Sequence, residues 1–279
     1  MLRILTAFVL IVIVLLLLFK APLGVLTLAC AVVAMLAMYE YAHLANAIGA
    51  SVPVWLLLAA TAIFFYITFT FPGLQLPVLG ALTLIFFGYA TFQGPLEQVL
   101  QNSAYASFGL LYVAYPLTLI SLLSTQENGT ALLLFLLVVV WAGDIVALYV
   151  GKSLGKRKLA PHLSPNKTWE GSIGSMAGSL LGGAAIVLTL NQLNARSLTD
   201  LSFADPLWQW LVIAALLNVA AQVGDLVESA IKRSAGVKDS GKLLPGHGGM
   251  LDRIDALLLA TPVLWYAQLL QGYFVLRRY

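Results

Sequence analysis

The stretch Ala131-Leu-Leu-Leu-Phe-Leu-Leu-Val-Val-Val-Trp141-Ala-Gly-Asp144-Ile-Val-Ala-Leu-Tyr-Val150 decides the fold class. It carries a single charge. At roughly 1.5 Å per residue, a helix of this length matches the roughly 30 Å hydrocarbon core of a bilayer. A lipid-spanning segment must satisfy its own backbone N–H and C=O groups, and an unbroken apolar run without alternation is the helical solution. Runs of the same kind lie at 4–19, 22–39, 53–71, 77–92, 105–124, 172–190, 207–227 and 254–276. Pro53, Pro72-Gly73, Pro77 and Asn128-Gly129 punctuate the early loops. The pattern predicts an all-α fold, a polytopic transmembrane helical bundle of about eight to nine spans, since 77–92 is short and 4–39 reads as a tight hairpin.

The composition agrees. Of 279 residues 61% are hydrophobic and 10% charged, whereas a soluble domain needs roughly 25% charged residues to clothe its surface. A net charge of +3 is too small to argue for nucleic acid. The lone Cys30 sits in an apolar run, which excludes a disulfide framework or thiolate metal site. Arg3, the run Ile4–Phe19 and Lys20 resemble a signal peptide. Lys20-Ala-Pro-Leu-Gly offers no small-residue cleavage site, however, and another apolar run follows, so an uncleaved first span is expected.

One integral membrane domain is expected, with low-motif helices over 1–130 and the chemistry over 131–279. Between Lys20 and Lys152 there is no lysine or arginine. Then Lys152, Lys156, Arg157, Lys158 and Lys167 form one basic cluster, and Lys232, Arg233, Lys238, Lys242 and Arg253 a second. Two spans and the loop 191–206 separate them, so both emerge on one face, which the positive-inside rule assigns to the cytoplasm. The intervening loop carries only Arg196 against Asp200 and Asp205, which suits the opposite side.

Topology alone does not explain these loops, because acids, glycines and a histidine are interleaved with the bases. Asp144 has apolar sequence on both sides. A charge at mid-membrane costs about 2.5–3.5 kcal/mol on insertion scales, so it should face a polar interior or a partner. Gly151-Lys152-Ser153 is not a P-loop: the earlier glycine would fall at Val146, and the segment follows a membrane helix. Pro161, Pro165 and Gly171 break regular structure around Ser164-Pro165-Asn166-Lys167-Thr168-Trp169-Glu170-Gly171. The donors left there suit phosphate, although a plain re-entrant turn would read the same way.

The second constellation is denser. Asp225, Glu228, Ser229 and Lys232 fall on one helical face. Arg233, Lys238, Asp239 and Ser240 follow, then Pro245-Gly246-His247-Gly248-Gly249 and Asp252-Arg253-Ile254-Asp255. Glycines let backbone N–H groups approach an anion, bases neutralise phosphoryl oxygens, and carboxylates hold the magnesium that bridges them. Each has a plainer reading. Asp252 and Asp255 would favour a helix N-terminus, Asp225 would pair with Lys232, and His247 would be a surface histidine. Together, in two loops on one face of a charge-poor chain, they point to nucleotide chemistry. Glu40 and His43, beside Tyr39 and Tyr41, read as part of an interfacial aromatic belt.

These residues resemble the phosphatidate cytidylyltransferases, or CDP-diacylglycerol synthases. That family's signature is a serine, two variable residues, Lys-Arg, four variable residues and Lys-Asp, then a Pro-x-His-Gly-Gly loop and Asp-Arg-x-Asp. Ser229, Lys232-Arg233, Lys238-Asp239, Gly246-His247-Gly248-Gly249 and Asp252-Arg253-Ile254-Asp255 keep every spacing. Ser164 to Gly171 looks like a second family block, and the likeness extends over about 144–258. One departure is Leu148, where the family usually has tyrosine.

The resemblance implies transfer of CMP from CTP to phosphatidic acid with release of pyrophosphate. It maps a magnesium centre, with a second monovalent or divalent cation, onto Asp225 and Asp252. Asp144, Lys167, Lys232 and Arg253 join these as catalytic candidates. Ser164, Asn166, Thr168, Ser229, Arg233, Lys238, Asp239, His247, Gly248, Gly249 and Asp255 are the substrate-binding candidates. The implied partners are CTP, phosphatidic acid and membrane lipid, with no nucleic acid; a homodimer is compatible with the pattern. The implied location is a bacterial inner membrane with the active site on the cytoplasmic face. Two alternatives stand beside this: a CTP-dependent enzyme acting on another phosphorylated lipid, and an ion-coupled transporter using Asp144 and Asp225, which would not require the basic 232–253 loop. A CDP-alcohol phosphotransferase is discounted, because Ala256-Leu257 follows Asp255 and no Ala-Arg appears at the required distance.

Overall fold

The computed structural model describes residues 2–276 apart from 205, 242 and 244–247, with side chains from 8 to 271. In chain order it forms α1 (Leu2–Lys20), α2 (Leu23–Ala47), α3 (Val54–Thr70), α4 (Gln75–Gln93), α5 (Val99–Gly109), a π-helical turn (Leu110–Ala114) and α6 (Tyr115–Ser124). Then come α7 (Gly129–Leu154), a hairpin of β1 (Lys158–Ala160) and β2 (Ser164–Thr168), α8 (Trp169–Ala195), α9 (Leu207–Ser234) and α10 (Leu251–Leu276). Among the described residues seven helices are long and apolar enough to cross a membrane, and Phe8–Lys20 and Val54–Thr70 are shorter apolar ones. The helical, membrane-spanning architecture is the one the apolar runs predict.

Three departures concern the polar segments. First, α2 runs on past Tyr39 to Ala47, because Ala42, Ala45 and Ala47 favour helix and no breaker precedes Gly49. Glu40 therefore lies inside a helix rather than at its end. Second, α9 continues through Lys232 to Ser234. It stops where Gly236 takes a positive φ of 71° and Val237 N–H donates back to Lys232 O at 3.0 Å, a glycine-terminated helix cap. Third, the proline-bearing 158–168 segment, expected to be irregular, is an antiparallel hairpin pairing Lys158 with Thr168 and Ala160 with Ser164. A two-stranded hairpin consists only of edges, so Pro165 is tolerated in it.

The chain divides into two compact units, Met1–Leu122 with Ala230–Ile254, and Leu123–Ser229 with Asp255–Tyr279. The 230–254 segment thus packs with the N-terminal helices rather than with the rest of the motif-bearing half. Within this first unit, Tyr41 on α2 donates its hydroxyl to Tyr105 O on α5 at 2.7 Å. Gln75 bonds the Thr118 hydroxyl at 2.8 Å in the buried interior.

In the second unit α8 lies against α7 through Gly174, Gly178 and Gly182, one helical turn apart. A Cβ at Gly178 would fall 2.7 Å from Ala142 O, and one at Gly174 would fall 2.8 Å from Val150 Cβ. Close backbone approach of this kind replaces the hydrophobic drive that lipid cannot supply. A buried polar ladder adds to it. Asn218 on α9 donates to the Ser175 and Ser179 hydroxyls, each at 2.8 Å, Ser179 donates to Val139 O at 2.8 Å, and Gln222 donates to Asn218 at 2.6 Å. Neither feature was read from the sequence, although glycines at i, i+4 and i+8 are a legible signal. Gly178→Ile should lower the melting temperature of the detergent-solubilised protein by an amount corresponding to about 1–3 kcal/mol of overpacking. Gly80→Ile, at a position where a Cβ would meet nothing within 4 Å, should leave it unchanged.

Candidate active site

The first unit carries a site in which two carboxylates organise a loop. Lys232, in the last turn of α9, places Nζ 2.6 Å from Asp252 Oδ1, with side-chain exposures of only 12% and 7%. The other Asp252 oxygen accepts Ser240 N at 2.9 Å, the Ser240 hydroxyl at 2.9 Å and Gly249 N at 2.8 Å. So Asp252 does more than favour the start of α10: it ties the end of α9 to residues 240 and 249.

Glu40 completes the arrangement. It is 5% exposed. Its Oε1 accepts Met250 N, and its Oε2 accepts Leu251 N and the Ser240 hydroxyl, all at 2.9 Å. This corrects the reading of Glu40 as an interfacial-belt residue. The physical reason is that its partners lie two hundred residues on, where no local pattern can show them. One signal was available: Glu40 is the sole acid among residues 1–96, and an ionisable residue in an apolar span is by default a functional candidate.

The glycines follow from the carboxylates. A Cβ at Gly241 would collide with Glu40 Oε1, and one at Gly249 with the Ser240 hydroxyl and Glu40 Oε2. Gly248 has a positive φ of 77°, and a Cβ there would sit 2.7 Å from Asp252 Oδ2. The anions that this glycine-rich backbone approaches are the protein's own carboxylates. The N–H groups at the start of α10, an anion site by their nature, are already occupied by Glu40. The cationic side chains of this unit differ in how they are occupied. Lys238 and Arg253 are exposed and make no ion pair among the described residues, whereas the Arg233 guanidinium donates to Val237 O at 2.9 Å. Asp239 is exposed beside Lys238. His247, Lys242 and Gly246 lie outside the described residues.

The second unit holds the other site residues. Lys167 Nζ on β2 lies 2.5 Å from Asp225 Oδ2 on α9, with side-chain exposures of 24% and 38%. Asp225 was weighed as a partner of Lys232; its partner is Lys167. Asp144 on α7 lies within electrostatic reach of both. The Asn218–Gln222 ladder runs up α9 to the turn bearing Asp225 and fixes that helix against α8. Thr168 is occupied structurally, its hydroxyl accepting Gly171 N at 3.1 Å to cap α8. Glu170, not singled out from the sequence, accepts Lys156 N at 3.0 Å and Arg157 N at 3.2 Å, anchoring the hairpin to the first turn of α8. Asn166 is exposed and Ser164 half-buried on the hairpin, while Ser229 is buried. Asp255 turns one oxygen back to Ala256 N at 2.8 Å, and its carbonyl lies so close to Gly224 that a Cβ there would be 2.5 Å away.

The two carboxylates expected at a metal, Asp225 and Asp252, fall in different compact units, and each holds its own lysine. Among the described residues no three His, Cys, Asp or Glu side chains form a metal-ligand group. The donor sets still differ in their fitness for a cation. Among the described residues Asp225 Oδ1 has no donor, and Asp144 is within electrostatic reach of both Asp225 and Lys167, so two carboxylates share one lysine. Asp252 has both oxygens filled.

Fold and site together define a polytopic membrane protein in which Lys167 pairs with Asp225 and Lys232 with Asp252 while further cations stand exposed. The chain belongs to the Cytidylyltransferase family, whose sequence profile matches residues 1–270. It is 44% identical over 158 residues to the phosphatidate cytidylyltransferase of Brucella abortus biovar 1 (strain 9-941), covering 56% of this chain and 54% of that protein. It is 44% identical over 147 residues to the phosphatidate cytidylyltransferase of Bacillus subtilis (strain 168), covering 53% and 51%. That of Staphylococcus saprophyticus is 39% identical over 165 residues, covering 59% and 56%. The chain spans about half the length of the curated relatives it matches.

Proposed function

We propose that this chain transfers CMP from CTP to phosphatidic acid, forming CDP-diacylglycerol and pyrophosphate for phospholipid synthesis. The observation that carries the reading is that Lys238 and Arg253 are exposed on the segment that the buried Lys232–Asp252 ion pair ties down, on the signature spacing. The names of the relatives support it. In the reaction a phosphate oxygen of phosphatidic acid attacks the α-phosphorus of CTP. That P–O bond forms as the bond from the α-phosphorus to the bridging oxygen breaks, and pyrophosphate carries away the electron pair. A phosphate monoester is already anionic, so the reaction calls for neutralisation and alignment more than for a general base.

Lys238 and Arg253 would engage phosphoryl oxygens, and Arg253 offers the planar fork that suits them. Gly248 and Gly249 would shape the loop through their contacts with Asp252 and Glu40. Lys167 would be shared between Asp225 and a phosphate. A bound magnesium ion would neutralise charge on the polyphosphate, and Asp225, with Asp144 within electrostatic reach, would hold it.

The lysine and arginine asymmetry supports both loops being cytoplasmic, and the bacterial organisms of the relatives support a bacterial inner membrane. Cysteines introduced as Ala160→Cys and Asp200→Cys should be labelled from opposite sides in sealed cells; labelling from the same side would reject this topology. The function itself is tested by incubating purified protein with labelled CTP, magnesium and phosphatidic acid. CDP-diacylglycerol and pyrophosphate should form in equal amounts. Turnover only with another phosphorylated lipid from a panel would move the assignment to that substrate, and no turnover with any of them would overturn it.

A further inference from the structure

We propose that Glu40, on an apolar helix far in sequence from every signature motif, is a positioning residue for Lys238 and Arg253, which on the reading above meet the triphosphate of CTP. It acts through Ser240 and the first N–H groups of α10. The proposal rests on the CTP-dependent reading above. Three observations meet at this carboxylate. It is buried to 5% exposure yet accepts three hydrogen bonds, from Met250 N, Leu251 N and the Ser240 hydroxyl. A buried carboxylate is tolerated in such a place only when donors surround it, and the start of a helix adds a favourable dipole. Two glycines, Gly241 and Gly249, are packed so closely on its oxygens that no side chain fits at either position. Finally, the Ser240 hydroxyl lies 2.9 Å from both Glu40 Oε2 and Asp252 Oδ2.

A hydroxyl has one proton to donate, so it serves one carboxylate at a time and links the two. Asp252 in turn holds Lys232. A chain of contacts therefore runs from Glu40 through Ser240 and Asp252 to Lys232, and both ends of the 235–250 loop are fixed by it. Lys238 and Arg253, exposed cations two residues before Ser240 and next to Asp252 in sequence, inherit their placement from that clamp. Loss of Glu40 should disturb these two cations, proposed here to meet the triphosphate, and spare recognition of the lipid.

The test compares Glu40→Gln with Gln75→Leu, which removes a buried hydrogen bond elsewhere among the N-terminal helices. CTP is titrated at saturating phosphatidic acid, phosphatidic acid at saturating CTP, and melting temperature is followed alongside. Glu40→Gln should raise KM for CTP at least tenfold while KM for phosphatidic acid stays within twofold. Gln75→Leu should lower the melting temperature without moving either KM. In a Ser240→Ala background, Glu40→Gln should change KM for CTP by clearly less than in the native chain. A fall in kcat alone with both KM values native, or native kinetics throughout, would overturn the proposal. Hydrogen exchange reads the clamp without substrate: the Met250 and Leu251 amides should be protected in the native chain and released in Glu40→Gln. If the native protein transfers no CMP, the functional reading fails and exchange alone decides, with unprotected native amides rejecting the clamp.

Discussion

Asp252→Asn should cut CMP transfer at least a hundredfold, and the double variant Lys232→Met/Asp252→Asn should stay as inactive while regaining native stability. The two variants separate effects that one alone would confuse. Asp252 and Lys232 are 7% and 12% exposed, so removing one partner strands the other charge in a poorly solvated place. That costs about 3–5 kcal/mol, whereas replacing both with uncharged groups of similar shape is close to neutral. The single variant should therefore show a lowered melting temperature together with lost turnover. In the double variant methionine fills the lysine stem's space and asparagine keeps one acceptor for Ser240 N and Gly249 N, so the melting temperature should return. If turnover returned with it, the pair would be a structural tie and nothing more. Persistent loss in a stable protein places the charges in the chemistry.

How far the sequence reveals this arrangement depends on the range of the interactions. The spans are legible because each is a local property, an apolar run long enough for lipid. The signature residues are legible because Ser229, Lys232, Lys238, Gly249 and Asp252 follow at fixed spacings within one short segment. What each residue touches is not legible in the same way. Asp225 and Lys232 share a helical face, which suggested a pair, yet Asp225 meets Lys167 from the hairpin and Lys232 meets Asp252 from the next helix. Lys167 is separated from Asp225 by all of α8 and much of α9, and Lys232 from Asp252 by the 235–250 loop, and no periodicity encodes either pairing. Glu40 is the extreme case, with its donors more than two hundred residues away. The hairpin of β1 and β2 was hidden because Pro161 and Pro165 signal breakage, while the Glu170 anchor that closes it lies on the following helix.

The exposed and paired cations make opposite claims about charge and shape, and a swap of one base for the other tests them. Arg253→Lys and Lys167→Arg preserve the charge that orients the loops, and positive-inside bias counts charge alone. If these residues only hold the loops on one side, both variants should behave as the native chain. If they contact phosphate, shape matters, since arginine presents a planar fork and lysine a compact point charge. Arg253 is exposed at the start of α10 with no ion pair among the described residues, so lysine there breaks none among them. Lys167 is different: its ammonium sits 2.5 Å from Asp225, and a guanidinium must re-seat against that carboxylate as well as against a ligand. Both variants should insert and melt normally, yet lose at least about tenfold in kcat/KM, equivalent to about 1.4 kcal/mol of transition-state stabilisation. The loss at Arg253 should fall in KM if the contact exists in the ground state, and in kcat if it forms only in the transition state. Arg196→Lys, in the loop between α8 and α9, should be silent. Native kinetics in both loop variants would return Lys167 and Arg253 to a purely topological role and remove both from the phosphate-binding assignment.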